Sequence, residues 1–265
     1  MTILDEILAH KRQEVQEQKE LFPVKRLEQS IYFNTDTVSF ESYLRRPDKV
    51  GIVAEIKRKS PSKGSINQYV DVEQLSIGYM QAGASAISVL TDKQFFGGSN
   101  EDLTTARTYN FCPILRKDFI VDEYQVIEAR SIGADVILLI AAALSPDEIK
   151  QLSQTAHSLG LEVLLEVHNA EELEQSPLEH VDVVGVNNRN LKDFSVSLET
   201  SEALVEKLPE SMTRISESGI RSAEDIVRLR KAGFHGFLIG ERFMTESRPD
   251  EACARLVHDV QVLLG

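Results

Sequence analysis

Residues 51–64 read Gly51-Ile52-Val53-Ala54-Glu55-Ile56-Lys57-Arg58-Lys59-Ser60-Pro61-Ser62-Lys63-Gly64, and this stretch decides the fold. Its apolar part, 51–56, is too short for a helix and too apolar for a strand with one exposed face. Such runs are typical of strands buried on both faces, as in an all-parallel sheet. An open dinucleotide-binding sheet usually has a glycine-rich turn after its first strand, where this chain has mainly lysine, arginine and serine. The stretch therefore favours a closed barrel over a doubly wound open sheet.

The rest of the chain repeats a short apolar run followed by a segment of helical periodicity. Seven further runs follow the first: Ala86–Leu90, Pro113–Leu115, Val136–Ile140, Val163–Leu165, Val181–Val186, Thr213–Ile215 and Gly236–Ile239. Helix start signals stand between several of them, at Asp71, Ser99–Asp102, Ser145–Glu148 and Ser222–Asp225. Eight strand–helix units with a period of about 25 residues predict a (β/α)8 TIM barrel, which is an α/β fold.

The segment before the first run has a different pattern. Apolar residues recur at helical spacing among charged ones at Ile3, Leu4, Ile7, Leu8 and Val15. A second short helical segment is expected at Val38–Leu44. No linker or low-complexity segment interrupts the chain after Val50. We therefore expect one domain, residues 1–265, in which an N-terminal helical extension (1–49) precedes the barrel (50–265).

Composition limits the partners and the compartment. The chain has 265 residues and a formal net charge of −13, so its overall field repels nucleic acid and anionic membranes. No apolar run approaches the roughly 20 residues needed to span a bilayer, and the N-terminus does not resemble a signal peptide. Cys112 and Cys253 have neither metal nor disulfide spacing. We expect a cytoplasmic monomer that binds neither nucleic acid nor membrane and has no metal site.

Polar side chains close the predicted strands at the end where barrel enzymes have their active sites. Alternation puts Glu55, Lys57 and Lys59 on one side of the first strand, with Glu55 and Lys57 close enough to pair. Glu55 lies within an apolar run, where an unpaired carboxylate is costly. We therefore predict an active site at these strand ends rather than a solvated charged surface. The other polar strand ends are Leu115-Arg116-Lys117-Asp118-Phe119, Leu164-Leu165-Glu166-Val167-His168, Gly185-Val186-Asn187-Asn188-Arg189, Ser216-Glu217-Ser218-Gly219 and Leu238-Ile239-Gly240-Glu241.

The last two strand ends indicate where an anion would bind. TIM barrels often hold phosphate with the loops after strands 7 and 8 and the N-terminus of a short helix. Glycine allows backbone N–H groups to approach an anion, and Ser218-Gly219 and Gly240 occupy these positions. Together with the lysines of strand 1, they predict a small phosphorylated substrate.

The same segments resemble the indole-3-glycerol-phosphate synthase family of tryptophan biosynthesis. The residues Ala54–Gly64 resemble the strand-1 signature of that family, and the ordered set covers nearly the whole chain, including the extension. The other similar segments are Leu90-Thr91-Asp92, Phe95-Phe96-Gly97-Gly98, Leu115–Phe119, Leu165–His168, Gly185–Leu191, Ser216–Ile220 and Gly240-Glu241.

The resemblance implies a reaction and its requirements. The substrate would be 1-(2-carboxyphenylamino)-1-deoxyribulose 5-phosphate, which closes its ring to give indole-3-glycerol phosphate, carbon dioxide and water. The family needs no metal and no organic cofactor. Other enzymes of the tryptophan pathway are the protein partners that the resemblance raises.

The resemblance also implies residue roles. Lys117 would be the general acid and Glu166 the general base, while Lys57, oriented by Glu55, would bind the substrate anion and assist proton transfer. The division of acid and base roles between Lys57 and Lys117 stays open. Three phenylalanines either line a pocket near the anthranilate ring or cap the barrel core: Phe95, Phe96 and Phe119. Asn187 would hydrogen-bond the sugar-derived hydroxyls, and Arg189 would face the anthranilate carboxylate. The phosphate would be held by Ser60, Ser218, Gly219 and Gly240.

One position departs from the family pattern. Many members have a small hydroxyl residue after the strand-8 glycine, whereas this chain has Glu241. A carboxylate there would repel phosphate, so we expect only the backbone to contribute and place Glu241 outside the site.

Two alternatives are weighed against this assignment. Phosphoribosylanthranilate isomerase is also a phosphate-binding barrel, but it uses a cysteine–aspartate pair at strand ends. Cys112 lies at the start of strand 3, which is the wrong end. A barrel that binds a phosphorylated metabolite without catalysis is the second alternative, and the set Glu55, Lys57, Lys117 and Glu166 disfavours it.

Overall fold

The structure is a computed structural model that describes residues 2–191 and 193–265. Eight parallel strands close into a barrel in which consecutive strands are neighbours and the last pairs with the first. The predicted (β/α)8 TIM barrel is therefore confirmed. The strands, β1 to β8 in chain order, are Ile52–Ile56, Ala86–Leu90, Ile114–Lys117, Val136–Ile140, Glu162–Val167, Val183–Asn187, Thr213–Glu217 and Gly236–Ile239.

The helices begin largely where the sequence placed their start signals. Asp71, Ser99, Ser145 and Ser222 each accept the backbone N–H of the residue three positions later, which caps a helix. Within residues 2–191 and 193–265, no helix is long and apolar enough to cross a membrane. In chain order, α1 to α12 are Ile3–Leu21, Val24–Leu27, Phe40–Leu44, Val72–Gln81, Asn100–Tyr109, Glu123–Ile132, Pro146–Ser158, Ala170–Gln175, Glu199–Val205, Ala223–Ala232, Glu241–Met244 and Pro249–Leu264.

The barrel interior is filled by side chains, and the extension closes its amino-terminal end. Phe40 and Leu44 of α3 are fully buried against the inner cluster. The backbone N–H of Glu41 donates to Glu162, at the start of β5, at 2.8 Å. The helix predicted near Val38–Leu44 is thus a plug for the barrel. The inner cluster also contains Val53, Ala86, Leu115, Val136, Leu138, Ile140, Leu164, Val183, Ile215 and Leu238.

Helix α1 lies at the opposite, carboxyl-terminal end of the barrel. Its Lys11 is only 2% exposed, and its Nζ lies 3.0 Å from a carboxylate oxygen of Asp92 and of Asp118. These two residues follow β2 and β3, so the ion pairs attach α1 to the strand ends. Three apolar side chains of α1 line the cavity there: Ile3, Leu4 and Ile7.

The chain after β1 departs from the sequence prediction. The strand ends at Ile56, and Lys59–Ser60 pairs with Gly64–Ser65 in a short antiparallel hairpin. The Nζ of Lys59 donates to the carbonyl of Gln94 at 2.7 Å. The expectation that Lys59 would lie beside Glu55 and Lys57 is wrong, because strand alternation holds only within the strand.

Candidate active site

A cavity of about 490 Å³ lies at the carboxyl-terminal ends of the strands. Its wall is built from the ends of all eight strands and from loops that follow them, which are distant in sequence and meet because the barrel is closed. All the residues assigned to the site from the sequence lie on this wall: Glu55, Lys57, Ser60, Lys117, Phe119, Glu166, Asn187, Arg189, Ser218, Gly219 and Gly240.

The end of β1 holds an ion pair against the end of β8. Glu55 is 3% exposed, and its Oε1 lies 2.6 Å from the Nζ of Lys57. Gly240 makes room for this carboxylate, because a Cβ there would lie 2.3 Å from Glu55 Oε1. The close approach of the two strands therefore requires glycine at this position.

Lys117 joins two buried carboxylates in the cavity. Its Nζ lies 2.6 Å from Glu217 Oε2 and 3.1 Å from Glu166 Oε2. These residues end β3, β7 and β5, and Glu55 belongs to β1. Inward side chains from alternate strands of a TIM barrel share a layer. The odd-numbered strands therefore supply a layer made of one ammonium and three carboxyl groups.

Glu217 is a buried carboxyl residue of the cavity that the sequence prediction did not assign to the site. It is 1% exposed and lines the cavity. Gly185 makes room for it, because a Cβ there would lie 2.3 Å from Glu217 Oε1. A weaker signal was present: Glu217 lies two residues after the run Thr213–Ile215, and like Glu55 and Glu166 it belongs to an odd-numbered strand.

Burial and charge separate the pKa values of these groups. Burial raises the pKa of Glu217 to about 7; Lys117 opposes this shift and the carboxylate of Glu166 adds to it. Burial would also raise the pKa of Glu166, but Lys117 and His168 outweigh it and hold that pKa well below its usual range. Burial would lower the pKa of Lys117, but Glu217 and Glu166 raise it above its usual value. Near neutral pH, Lys117, Glu166 and Glu217 thus provide an ammonium, a carboxylate and a carboxyl group that readily exchanges its proton.

The predicted phosphate site has a strained backbone. Ser218 and Gly219 have φ values of +67° and +79°. The left-handed conformation is uncommon for serine, costs about 1–3 kcal/mol and is concentrated at functional sites. Gly240 lies across the cavity wall, and the short helix α11 begins directly after it. The loops after β7 and β8 therefore meet where the sequence predicted an anion.

Glu241 lies in the site, so the expectation that excluded it is wrong. Its side chain lines the cavity. Its Oε1 lies 3.3 Å from Lys63 Nζ, and its Oε2 lies 3.5 Å from an Arg189 guanidinium nitrogen. These two cations offset the negative charge that led to its exclusion. Arg189, the residue expected to face a substrate carboxylate, is here paired with a carboxylate of the protein.

The remaining wall is polar beside β6 and apolar beside α1. The Oδ1 of Asn187 accepts the backbone N–H of Arg189 at 3.0 Å, which orients the amide at the end of β6. Phe119 and Phe96 pack with ring centroids 5.8 Å apart, and both line the cavity. Phe119 also packs on the inner cluster of the barrel. Phe119 thus lies both on the cavity wall and on the core of the barrel.

The fold and these strand ends define a (β/α)8-barrel enzyme whose active-site cavity has charged, polar and aromatic walls. Within the described residues, no group of three His, Cys, Asp or Glu side chains is suited to hold a metal ion. A family model described as "Indole-3-glycerol phosphate synthase" matches residues 4–256. The chain belongs to this family, and the family resemblance seen in the sequence is confirmed.

Relatives of this name match almost the whole chain. The indole-3-glycerol phosphate synthase of Bacteroides thetaiotaomicron is 48% identical over 259 residues, which cover 98% of this chain and 99% of the relative. That of Bacillus cereus is 46% identical over 248 residues, or 93% of this chain and 94% of the relative.

Solved structures of other enzymes share the fold at low identity. A thiamine phosphate pyrophosphorylase from Pyrococcus furiosus has a TM-score of 0.60 and 18% identity, covering 82% of this chain and 98% of its own. An N-acetylmannosamine-6-phosphate 2-epimerase from Clostridium perfringens has a TM-score of 0.60 and 16% identity, covering 84% and 96%. At this identity the likeness concerns the barrel alone.

Proposed function

We propose that this chain catalyses the reaction for which its family is named. The reaction closes 1-(2-carboxyphenylamino)-1-deoxyribulose 5-phosphate to indole-3-glycerol phosphate with release of carbon dioxide and water, a carboxy-lyase step of tryptophan biosynthesis. The observation that carries the proposal is Lys117, held between Glu166 and Glu217 in the cavity. A cavity of about 490 Å³ is in the range of small-molecule sites.

Ring closure requires an acid beside the substrate ketone. An aromatic carbon attacks the ketone carbon, so negative charge develops on the ketone oxygen. Lys117 is the general acid, because its raised pKa keeps the ammonium protonated and able to stabilise that charge. Loss of carbon dioxide from the attacking carbon then restores the aromatic ring.

Dehydration requires a base for the ring proton and an acid for the leaving hydroxyl. Glu166 is the general base, and its lowered pKa keeps it a carboxylate. When Lys117 turns to the substrate, Glu166 loses part of the positive charge that lowers its pKa and becomes a stronger base. Glu217, with a pKa of about 7, holds or releases a proton between steps. Lys57, oriented by Glu55 at 2.6 Å, binds the substrate anion and assists proton transfer.

The cavity walls suit the three parts of the substrate. Phe119 supplies an apolar surface for the anthranilate ring, and Arg189 binds its carboxylate after exchange from Glu241. Asn187 binds the sugar-derived hydroxyls. The phosphate is assigned to the hydroxyl of Ser60 and to the groups at Ser218, Gly219 and Gly240, which lie in the loops after β7 and β8 where TIM barrels often bind phosphate.

We further propose that the chain acts as a cytoplasmic monomer without metal or organic cofactor, and that extension and barrel form one domain. The burial of Lys11 and Phe40 against the barrel supports a single domain. Sedimentation equilibrium should give one species of 29.7 kDa. A species of twice that mass would contradict the monomer. Other enzymes of the pathway remain proposed partners.

The isomerase alternative lacks support in the geometry. Cys112 precedes β3 at its amino-terminal end and is 3% exposed. Burial raises the pKa of this thiol to about 12. A buried neutral thiol at the end of the barrel away from the cavity does not serve as the acid or base of that reaction.

The experiment is to mix purified protein with the carboxyphenylamino-deoxyribulose phosphate and to follow indole fluorescence and carbon dioxide release together. We expect both signals from the native protein. Glu166→Gln should lower turnover by about 10²-fold or more while leaving the fold intact. Substrate binding without carbon dioxide release would instead indicate a non-catalytic barrel, and normal kinetics of Glu166→Gln would reject its role as base.

A further inference from the structure

The proposed general base has a second cationic neighbour that the mechanism above does not use. Oε2 of Glu166 faces Lys117, whereas its Oε1 lies 3.3 Å from Nε2 of His168. His168 is the first residue after β5, and its ring lies beside the carboxylate of Glu166. The His168 side chain is only 6% exposed.

A carboxylate fixes the other side of the imidazole ring. Oε2 of Glu172 lies 3.1 Å from Nδ1 of His168 and accepts the backbone N–H of the same residue at 2.8 Å. Oε1 of Glu172 accepts the side-chain amide of Asn169 at 2.6 Å. Asn169 in turn caps α8 by accepting the backbone N–H of Glu172 at 3.0 Å. Both oxygens of Glu172 are thus held, and the ring orientation is fixed from the helix.

The ring is a cation placed between two carboxylates. Both ring nitrogens face an acceptor, which is the arrangement of an imidazolium with two N–H donors. Burial would lower the pKa of His168, but Glu166 and Glu172 outweigh it and raise it to about 10. Nε2 makes no well-aligned hydrogen bond to the described residues, so its contact with Glu166 is an ion pair. Contacts of this kind often tighten when substrate binds.

We propose that His168, held by Glu172, is a positioning residue that fixes the carboxylate of Glu166 for proton abstraction. The inference rests on the proposed role of Glu166 as the general base. Lys117 and His168 each face one carboxylate oxygen. When Lys117 turns to the substrate, His168 keeps the carboxylate oriented and anionic. A carboxylate that orients an imidazole toward a third group is a recurring device of active sites.

The test compares His168→Gln and Glu172→Gln with the native enzyme. His168→Gln removes the cation, so kcat should fall about 10-fold, while KM stays within about 2-fold because the proposed substrate contacts remain. The acid limb of the kcat–pH profile should move to higher pH, because the pKa of Glu166 rises when a neighbouring cation is lost. Glu172→Gln should act in the same direction by less. It also keeps the inference testable if His168→Gln does not fold.

Two controls separate positioning from a general effect. His157 forms a comparable pair with Asp182, at 2.8 Å, on the surface, so His157→Gln should leave kcat and its pH profile unchanged. In a Glu166→Gln background, His168→Gln should add no further loss, because the group that it positions is absent. Native kcat and pH profile in both His168→Gln and Glu172→Gln, or an additive loss in the double variant, would overturn the inference.

Failure of the proposed function would be recognised by other results. A native protein that releases no carbon dioxide, or a fully active Glu166→Gln, would overturn the role of Glu166 and this inference with it. If instead the native protein is active and Glu166→Gln is impaired, only the His168 and Glu172 variants decide the inference.

Discussion

Two largely buried lysines, Lys11 and Lys117, contact carboxylates at the same end of the barrel. Lys117 lines the cavity, whereas Lys11 does not. The Nζ of Lys11 lies 3.0 Å from a carboxylate oxygen of Asp92 and of Asp118. A guanidinium nitrogen of Arg116 lies 3.6 Å from the other carboxylate oxygen of Asp118. Burial would raise the pKa of Asp118, but Lys11 and Arg116 hold it below its usual value. Asp118 is thus matched with two cations, Lys11 and Arg116, which keep its carboxyl group ionised, while Lys11 also pairs with Glu14 of its own helix.

In the group around Lys117, the carboxyl group of Glu217 lacks such a match. One ammonium is shared between Glu166 and Glu217, and the pKa of Glu217 is raised to about 7. A buried carboxylate that is matched with two cations thus attaches one segment of the fold to another. A mismatched group that faces a cavity keeps a proton available near neutral pH, which is what acid–base chemistry requires.

The largest expected effect is on stability and follows from the loss of the Lys11 ammonium. Lys11→Met leaves two buried carboxylates without their shared cation, so the free energy of unfolding should fall by about 3–5 kcal/mol. Urea denaturation measures this change. Lys19→Met is the control on the same helix, because Lys19 pairs with Asp122 at 2.7 Å with 37% and 35% of the side chains exposed. It should change stability by less than about 1 kcal/mol. Equal losses in the two variants would contradict the account of Lys11.

Substitutions in the group around Lys117 should mainly lower the turnover number. Lys117→Ala removes the proposed general acid, so kcat should fall by about 10²-fold or more, as expected for an acid–base group. Steady-state kinetics with indole fluorescence provide the measurement. Lys231→Ala, at an exposed position of α10, is the matched control and should keep the native rate. A native rate in Lys117→Ala would remove Lys117 from the mechanism.

The parts of the molecule that were predictable from sequence depend on local patterns. The run Val136–Ile140 matches β4 residue for residue, because a strand buried on both faces has a continuous apolar run. Glu55 and Glu166 were predictable because each carboxylate lies in or closes such a run. The family resemblance supplied their proposed roles.

The parts that were missed depend on contacts between distant segments. No local pattern pairs Lys11 with Asp92 and Asp118, so the role of α1 at the barrel mouth did not follow from its periodicity. Lys59 was misplaced because the chain enters a hairpin after β1. Glu241 was excluded on charge alone, and its cationic partners come from two other loops.

A smaller, pH-dependent effect on stability is expected at His168, the neighbour of Glu166. The pKa of His168 is raised from 6.5 to about 10, so its pairing stabilises the fold fully below pH 6.5, and this contribution is lost as pH rises through about 10. The difference in unfolding free energy between native protein and His168→Gln should be about 1.5–3 kcal/mol at low pH and should shrink toward pH 10. Denaturation across this range measures it. A difference independent of pH would contradict the ion pairs of His168.

The smallest effect is expected at the exposed rim of the cavity. Glu241→Gln removes a carboxylate that pairs with Arg189 at 3.5 Å, where the side chains are 37% and 24% exposed. KM should fall by less than about 5-fold with kcat unchanged, because exposed pairs contribute about 0–1 kcal/mol. An increase in KM would indicate that Glu241 assists substrate binding instead.

The most direct measurement is an infrared pH titration of the carboxyl groups in the native protein and in Glu217→Gln. We expect a carboxyl signal that titrates near pH 7 in the native protein and is missing from the variant. The raised pKa of Glu217 also fixes how stability depends on pH. The stability that protonated Glu217 contributes to the fold is present below pH 4.5 and is lost as pH rises through about 7. A native protein whose carboxyl groups all titrate below about pH 5, the usual range for glutamate, would contradict the charge mismatch at the cavity.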